Sequence, residues 1–283
     1  MLEAPGRRPH GGSKGRQRLD QALVERGVFP TRQRAAAAVL AGQVVVDGTP
    51  ARKAGQMVLP TSALTTRAQS PYVSRGGGKV AAALDRFAIP VAGCVCLDVG
   101  ASTGGFTDCL LQRGAARVYA VDVGYGQLAW RLRNDPRVVV KERCNARYLT
   151  AAEVPEPVDL ATADVSFISL GKVLPAVVAR MRVGGPCDSI IALIKPQFEA
   201  GPAQVGKGGI VRDAAVHRQV LLRVAGECAA LGWPVQALIA SPVRGADGNR
   251  EFLALLRRDA APRDTAELVR AAVAEAWSAA PAG

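Results

Sequence analysis

The chain has 283 residues, 49% of them hydrophobic and 21% charged, so it is long and apolar enough for one or two folded domains and is not intrinsically disordered. The formal net charge is +12, and the first 60 residues carry ten Lys or Arg against four acids. This basic N-terminal part indicates a nucleic acid or another anionic partner. No apolar run approaches the roughly 20 residues that span a bilayer, and the N-terminus has no apolar signal segment, so we expect a cytoplasmic protein with no membrane partner.

The cysteine and histidine content does not favour a metal site. The six cysteines form no C-x-x-C pair, and the only histidines are His10 and His217. Zinc sites are built from clusters of these two residue types. We therefore expect no metal and six buried, reduced thiols.

The first predicted elements form a small unit over residues 16–60. Helices are predicted over 18–27 and 32–41, and a strand over 43–49 runs into the hairpin turn Asp47-Gly48. Five cations of this unit are expected on one side, where they would form a surface for an anionic partner such as a nucleic acid: Arg18, Arg32, Arg34, Arg52 and Lys53. The family resemblance given below implies that this partner is RNA.

Composition divides the rest of the chain. Residues 1–15, rich in Gly, Pro and Arg, are predicted to be a disordered basic tail. Residues 61–73 are polar and contain Pro71, which is typical of a linker. Residues 74–283 are expected to form one larger domain.

A glycine-rich turn organises this larger domain. Residues 95–99 are predicted to be a buried parallel strand, and the turn after them leads into a helix. Gly100, Gly104 and Gly105 are expected to let the backbone approach a ligand where a Cβ would collide. The next strand ends at Asp122, 24 residues after Asp98, a spacing that suits a carboxylate accepting hydrogen bonds from ribose hydroxyls.

The remaining strands recur at the intervals of a doubly wound fold. Strands are predicted over 137–141, 157–164 and 189–194, with an antiparallel pair over 234–240 and 251–256. Helices are predicted over 80–87, 105–114, 170–181, 214–231 and 265–276. The loop between Gly201 and Gly209 is long enough to form a mobile lid. The expected fold class is α/β: a Rossmann-like, mostly parallel, seven-stranded sheet preceded by a small α/β unit.

The turn indicates which cofactor binds. Its glycines are spaced G-x-x-x-G-G rather than G-x-G-x-x-G, the form that holds a dinucleotide pyrophosphate. Asp98 would repel a pyrophosphate but attract the sulfonium of S-adenosylmethionine, so we favour that cofactor over NAD. Its expected contacts are Asp98, Gly100, Ala101, Ser102, Thr103, Gly104, Gly105, Phe106, Thr107, Asp122 and Asn145.

Four ionisable residues stand at positions that should share one edge of the sheet. Asp164 ends the fourth strand, Lys195 ends the fifth, Glu251 begins the antiparallel last strand, and Lys79 can reach the edge from a flanking helix. A ribose 2′-hydroxyl is a poor nucleophile and needs a proton acceptor and in-line alignment for methyl transfer. We expect Lys195 to accept the proton and Asp164 to position it. Lys79 and Glu251 would hold the ribose and tune the charge.

Two family resemblances complete the interpretation. The N-terminal unit resembles the S4 RNA-binding domain through RLD (18–20), RG (26–27), TRQRA (31–35) and GQVVVDG (42–48). The larger domain resembles FtsJ-type 2′-O-ribose methyltransferases, which use a Lys-Asp-Lys-Glu tetrad, and the combination is similar to the TlyA family, also labelled haemolysin A. The carrying motifs are SRGGGK (74–79), DVGASTGGFT (98–107), ADVSFISL (163–170), IKPQFE (194–199) and GNREFL (248–253).

The resemblance implies an S-adenosylmethionine-dependent methyltransferase fold and methylation of cytidine 2′-hydroxyls in ribosomal RNA, within ribosomes or their subunits. Three alternatives stay open. The chain could be an RNA-binding protein without methyltransferase activity, a membrane-active haemolysin, or an NAD-dependent oxidoreductase.

Overall fold

The computed structural model describes residues 15–40, 42–66, 71–185, 187–245, 247–258, 260–261 and 263–278. The predicted disordered tail, 1–15, therefore lies outside the described residues except for Gly15. The described residues divide into two compact units, one within residues 1–69 and one within residues 70–282. Among the helices of the described ranges, none is both long and apolar enough to cross a bilayer.

The N-terminal unit packs two helices against short strands. Thr31 Oγ1 accepts a hydrogen bond from the Arg34 amide (3.2 Å) at the start of the second helix, as the sequence predicts. Asp47 and Gly48 both have positive φ, which the predicted hairpin turn requires. The elements are β1 (Gln17–Arg18), α1 (Leu19–Glu25), α2 (Arg32–Leu40), β2 (Val44–Val46), β3 (Thr49–Pro50), β4 (Met57–Val58) and β5 (Leu64–Thr66).

The predicted boundary between the small unit and the linker is wrong. Strand β5 lies inside the predicted linker, 61–73, and pairs antiparallel with β2 to give the sheet order β3-β2-β5. The Asp47 carboxylate accepts a hydrogen bond from the Ala63 amide (2.7 Å), which fixes the start of the strand. Only Leu64 of this short strand packs against the core of the unit, so its sequence looks like a polar linker.

The larger unit is built on one seven-stranded sheet with the order β11-β12-β10-β9-β6-β7-β8. Strand β12 is antiparallel to β10 and β11, and the other pairs are parallel, which confirms the predicted fold class. The strands are β6 (Val95–Val99), β7 (Arg117–Val121), β8 (Val138–Lys141), β9 (Leu160–Ala163), β10 (Ser189–Ile194), β11 (Val235–Ala240) and β12 (Phe252–Arg257).

Helices cover both faces of this sheet. They are α3 (Gly76–Arg86), α4 (Gly105–Gln112), α5 (Trp130–Arg133), α6 (Leu174–Val178), α7 (Pro196–Glu199), α8 (Ala214–Ala230) and α9 (Thr265–Ser278). Along β10, Ile190 and Ala192 belong to one hydrophobic cluster and Ile191 and Leu193 to the other. Burial on both faces is why this strand is apolar throughout.

Several predicted elements differ in detail. The predicted helix over 170–181 is a 3-10 helix, Leu170–Lys172, followed by the short α6, which has a proline in its first turn. Helix α3 begins at Gly76, four residues before the predicted start. A Cβ at Gly77 would lie 2.3 Å from the Tyr72 ring, so this helix start needs glycine despite its poor helix propensity.

The structure brings two of the six predicted thiols together. The sulfur atoms of Cys94 and Cys187 are in contact, with their Cα atoms 7.3 Å apart. Cys94 precedes β6 and Cys187 lies in the segment before β10. Because β9 lies between these two strands, the sequence has no signal for this proximity. Of the other four, three are buried as predicted and Cys144 is half-buried.

Candidate active site

The strand order reverses at β6, whose neighbours are β7 and β9, and a crevice opens beyond the carboxyl ends of these strands. Gly100 follows β6 with φ +85°, and a Cβ there would lie 2.2 Å from the Asp164 carbonyl oxygen. A Cβ at Gly104 would lie 2.3 Å from a Leu132 methyl group, and one at Gly105 would lie 2.2 Å from Ser74 Oγ. A Cβ at any of the three positions would thus collide with neighbouring protein atoms. Gly100 and Gly105 also line the cavities described below, and their role in admitting a ligand stays a prediction.

Two adjoining cavities occupy the crevice. We call the first the apolar cavity; its walls include Val99, Val121, Cys144 and Ile168, and Asp122 and Asn145 lie along it. We call the second the charged cavity; Lys79, Asp164, Lys195 and Glu251 all line it, together with Ala101, Thr103, Gly105 and Phe106. Residues that line both cavities are Gly100, Ser102, Asp164, Ser166 and Phe167.

Asp122 is held by backbone amides at the apolar cavity. Its carboxylate accepts hydrogen bonds from the amides of Ser102 (2.7 Å) and Gly124 (2.6 Å). A carboxylate has room for further donors, so a ribose diol can bind beside these amides. Asn145 is exposed, and its side chain accepts a hydrogen bond from the Arg147 amide (3.1 Å).

Asp98 lies beneath the cavities rather than in them. Its side chain is fully buried and accepts hydrogen bonds from the hydroxyls of Thr107 (2.6 Å) and Thr162 (2.9 Å). Burial raises the pKa of Asp98 to about 6, although both hydroxyls oppose the shift. Asp98, Gly104 and Thr107, three of the predicted cofactor contacts, are all buried and line neither cavity.

The four predicted catalytic side chains form two ion pairs in the charged cavity. Lys79 Nζ lies 2.5 Å from Glu251 Oε2, and Lys195 Nζ lies 2.6 Å from Asp164 Oδ1. Lys195 also donates a hydrogen bond to Ser166 Oγ (2.8 Å). The Glu251 side chain is 3% exposed and both lysine side chains are 11% exposed. The site thus brings two shielded ammonium groups and two carboxylates to one cavity.

Neighbouring elements hold the Lys79–Glu251 pair. The segment before α3 is fixed where the Val73 amide donates to the Asp108 carboxylate (2.8 Å). A Cβ at Gly245 would lie 2.5 Å from Glu251 Oε1, so the Gly245 backbone packs directly on that carboxylate. The buried Asn249 side chain donates to the Gly209 carbonyl oxygen (2.8 Å), which ties Asn249 to the glycine-rich loop. None of residues 201–209 lines either cavity, so the loop is not placed as a lid.

Sequence reasoning missed several residues of the charged cavity, including Ser166, Phe167, Phe198 and Arg244. Phe167 is 89% exposed and has φ +62°, which is uncommon for an aromatic residue. Its ring lies 4.8 Å from the Phe198 ring, centroid to centroid. From the sequence, an aromatic residue among apolar neighbours is expected to pack in the core. Nothing in the sequence therefore indicates that the Phe167 side chain is exposed.

The five predicted RNA-binding cations are all exposed on the N-terminal unit. Arg18 and Arg32 share the Asp20 carboxylate at 3.0 and 3.1 Å. The two guanidinium groups, Arg18 above all, hold the pKa of Asp20 down at about 2. Asp20 thus fixes two of the five cations beside each other, and Arg34, Arg52 and Lys53 are exposed as well.

Comparison with known proteins gives concordant matches over most of the chain. The model of the FtsJ-like methyltransferase family matches residues 72–258, and that of the S4 domain matches residues 17–63. The 16S/23S rRNA (cytidine-2′-O)-methyltransferase TlyA of Mycobacterium tuberculosis is 52% identical over 248 residues, which cover 86% of this chain and 90% of that protein. Hemolysin A of Brachyspira hyodysenteriae is 39% identical, with 84% and 98% covered. A solved structure from Streptococcus thermophilus matches with 41% identity and a TM-score of 0.73, covering 94% of this chain and 97% of that one.

Proposed function

The chain belongs to the FtsJ-like methyltransferase family, and to its TlyA group with an S4 domain, and from this premise we propose that it methylates ribosomal RNA. The proposed reaction transfers a methyl group from S-adenosylmethionine to the 2′-hydroxyl of a cytidine in ribosomal subunits. The observation that carries the proposal is the meeting of the two cavities at Gly100, Asp164 and Ser166. A cofactor in the apolar cavity and a ribose in the charged cavity would meet there.

The residues present fit S-adenosylmethionine. The apolar cavity has aliphatic walls for an adenine ring, and the carboxylate of Asp122, fixed by two backbone amides, suits a ribose diol. Asp164 lies where the two cavities meet and supplies a carboxylate for a cation. We assign cofactor contact to Gly100, Ser102, Asp122, Asn145 and Asp164.

When bound, S-adenosylmethionine supplies an electrophilic methyl group, whose carbon–sulfur bond breaks as the carbon–oxygen bond to the ribose forms. In our proposal Lys195, as the free amine, accepts the proton of the 2′-hydroxyl and becomes an ammonium. Asp164 and Ser166 hold that amine at 2.6 and 2.8 Å, so it enters the cavity in one orientation. The new ammonium then pairs with Asp164 and loses its proton to solvent.

The Lys79–Glu251 pair is proposed to bind the ribose rather than to transfer the proton. Lys79 already contacts Glu251 at 2.5 Å, and both groups line the cavity that holds Lys195. A carboxylate and an ammonium at fixed positions can accept from and donate to adjacent ribose hydroxyls. They would align the 2′-oxygen for in-line attack, which depends on orientation.

Surface chemistry supports an RNA substrate. The exposed Phe167 ring at the mouth of the charged cavity offers a face for an unstacked base, and Arg75 and Arg244 line the same cavity. The exposed cations of the N-terminal unit offer phosphate contacts. The larger unit thus offers a ring for an unstacked base, and the smaller unit offers cations for phosphates.

Mapping of 2′-O-methylated nucleotides tests the proposal. Ribosomal RNA from cells with the gene deleted should lack 2′-O-methylation at one or more cytidines, and purified wild-type protein with S-adenosylmethionine should restore it in isolated subunits. An unchanged methylation map together with no transfer in vitro would refute the function. Tight NAD binding without S-adenosylmethionine binding, measured by calorimetry, would favour an oxidoreductase. Dye leakage from protein-free liposomes would favour a haemolysin.

A further inference from the structure

Two neighbouring segments frame the charged cavity and are joined at three points. One segment is the loop after β9, residues 164–170, and the other runs from Lys195 through α7. At the cavity end, Lys195 contacts Asp164 and Ser166. In the middle, the rings of Phe167 and Phe198 are 4.8 Å apart. At the far end, Glu199 contacts Ser169 and Leu170.

The contact at the far end has the most hydrogen bonds of the three. Glu199 Oε1 accepts from the Leu170 amide (2.7 Å), and Oε2 accepts from Ser169 Oγ (2.9 Å) and Arg223 Nη2 (2.8 Å). The Glu199 side chain is only 2% exposed. Arg223 also donates to the Glu199 carbonyl oxygen (2.9 Å), so this carboxylate is anchored to the long helix α8.

The loop between these contacts needs such an anchor. Phe167 adopts a left-handed backbone conformation and keeps most of its ring in solvent, so its own burial stabilises this conformation little. The start of the loop is fixed to the sheet where the Asp164 amide donates to the Val99 carbonyl oxygen (2.8 Å). The hydrogen bonds to Glu199 fix its end. Without them the loop can relax and carry Ser166 away from the Lys195 amine.

We propose that Glu199 is a positioning residue for methyl transfer, which holds the loop so that Ser166 keeps the Lys195 amine oriented toward the 2′-hydroxyl. This inference rests on the function proposed above. Glu199 lines neither cavity and touches no reacting atom, so its effect on the loop is transmitted through Ser169 and Leu170, while Arg223 anchors it to α8.

Glu199→Gln tests the inference, with Glu227→Gln as the matched control. Glu227 is the second carboxylate on Arg223, one turn along α8, and its only ion pair is with that arginine among the described residues. We expect Glu199→Gln to lower kcat for methyl transfer to RNA by on the order of 10- to 100-fold with little change in KM, because the base is misplaced rather than the RNA released. Glu227→Gln should retain kcat within about threefold. An equal loss in both variants would assign the effect to Arg223 and overturn the proposal.

A double-mutant cycle with Ser166→Ala separates positioning from general destabilisation. If Glu199 acts through Ser166, adding Glu199→Gln to Ser166→Ala should lower kcat by less than about threefold, whereas the two changes in unfolding midpoint should add. Multiplicative losses of kcat would overturn the proposal. If Glu199→Gln does not fold, Ser169→Ala removes one of the same hydrogen bonds and should show the same cycle with a smaller loss. Wild-type protein that transfers no methyl group to the 2′-oxygen would instead refute the proposed function.

Discussion

Replacing Asp98 with Asn should change how stability depends on pH without removing the cofactor site. Folding raises the pKa of this carboxyl from 3.8 to about 6, chiefly because it is buried. Between these values the folded state keeps the proton and the unfolded state loses it, so stability falls as pH rises through this window. Below pH 3.8 both states are protonated and the group has no effect. Above about pH 6 the folded protein contains a buried ionised carboxylate.

The magnitude follows from the two pKa values. The full cost of the ionised Asp98 is about 3 kcal/mol, since each pKa unit corresponds to about 1.4 kcal/mol. Part of that cost is already present at pH 5, where the unfolded state is mostly ionised. From pH 5 to pH 8 the wild-type protein should therefore lose roughly 1 kcal/mol relative to Asp98→Asn. The asparagine keeps the neutral shape and can exchange hydrogen bonds with the hydroxyls of Thr107 and Thr162.

Urea unfolding followed by tryptophan fluorescence measures this difference. All three tryptophans, Trp130, Trp233 and Trp277, belong to the larger unit, so the signal reports the unit that contains Asp98. The control is Asp85→Asn, since Arg113 lowers the pKa of the exposed Asp85 and its removal should not reproduce the slope. Stability curves of wild type and Asp98→Asn that stay parallel from pH 5 to pH 8 would refute the reasoning. So would a loss of S-adenosylmethionine binding with unchanged stability, which would place Asp98 against the ligand.

Three further outcomes are expected elsewhere in the molecule. Burial, helped by Arg250, lowers the pKa of His217 to about 4, so the folded state resists protonation. As the pH falls from 7 to 4.5, the wild-type protein should lose about 2 kcal/mol of folding stability relative to His217→Gln. Its stability thus falls with falling pH, whereas the Asp98 carboxyl makes stability fall with rising pH. Glu251→Gln leaves the shielded Lys79 ammonium without its counter-charge and should cost on the order of 3 kcal/mol in urea unfolding, largely restored by the double change with Lys79→Gln. Arg34→Ala should reduce the slope of log Kd for RNA against log salt by about 0.7 to 0.9; an unchanged slope would show that the exposed Arg34 contacts no phosphate.

Strand periodicity carried most of the fold prediction. The apolar run at 189–194 and the spacing of Asp98 and Asp122 were enough for a parallel sheet, and the rule that parallel strands end at one edge placed Asp164 and Lys195 together. The structure brings both to one cavity with Lys79 and Glu251. Their roles in catalysis stay proposals.

The burial of Asp98 could not be read from the sequence, because one of its two hydroxyl donors comes from β9, which is 64 residues away. Only the strand order makes β9 a neighbour of β6. Phe167 was missed for a similar reason. Its exposure depends on a left-handed backbone in a loop whose end is fixed by Glu199, about 30 residues later in the chain. Strand β5 was missed because one apolar residue in three gives no usable alternation.

The most direct test of the account is single-turnover methyl transfer by Lys195→Ala to ribosomal subunits isolated from cells lacking the protein, with the S-adenosylmethionine Kd measured in parallel by calorimetry. The account predicts a rate at least about 100-fold below wild type, the contribution expected of a positioned proton acceptor, with the cofactor Kd changed by no more than a few-fold. A variant that binds the cofactor and transfers methyl groups to the 2′-oxygen at the wild-type rate would contradict the account.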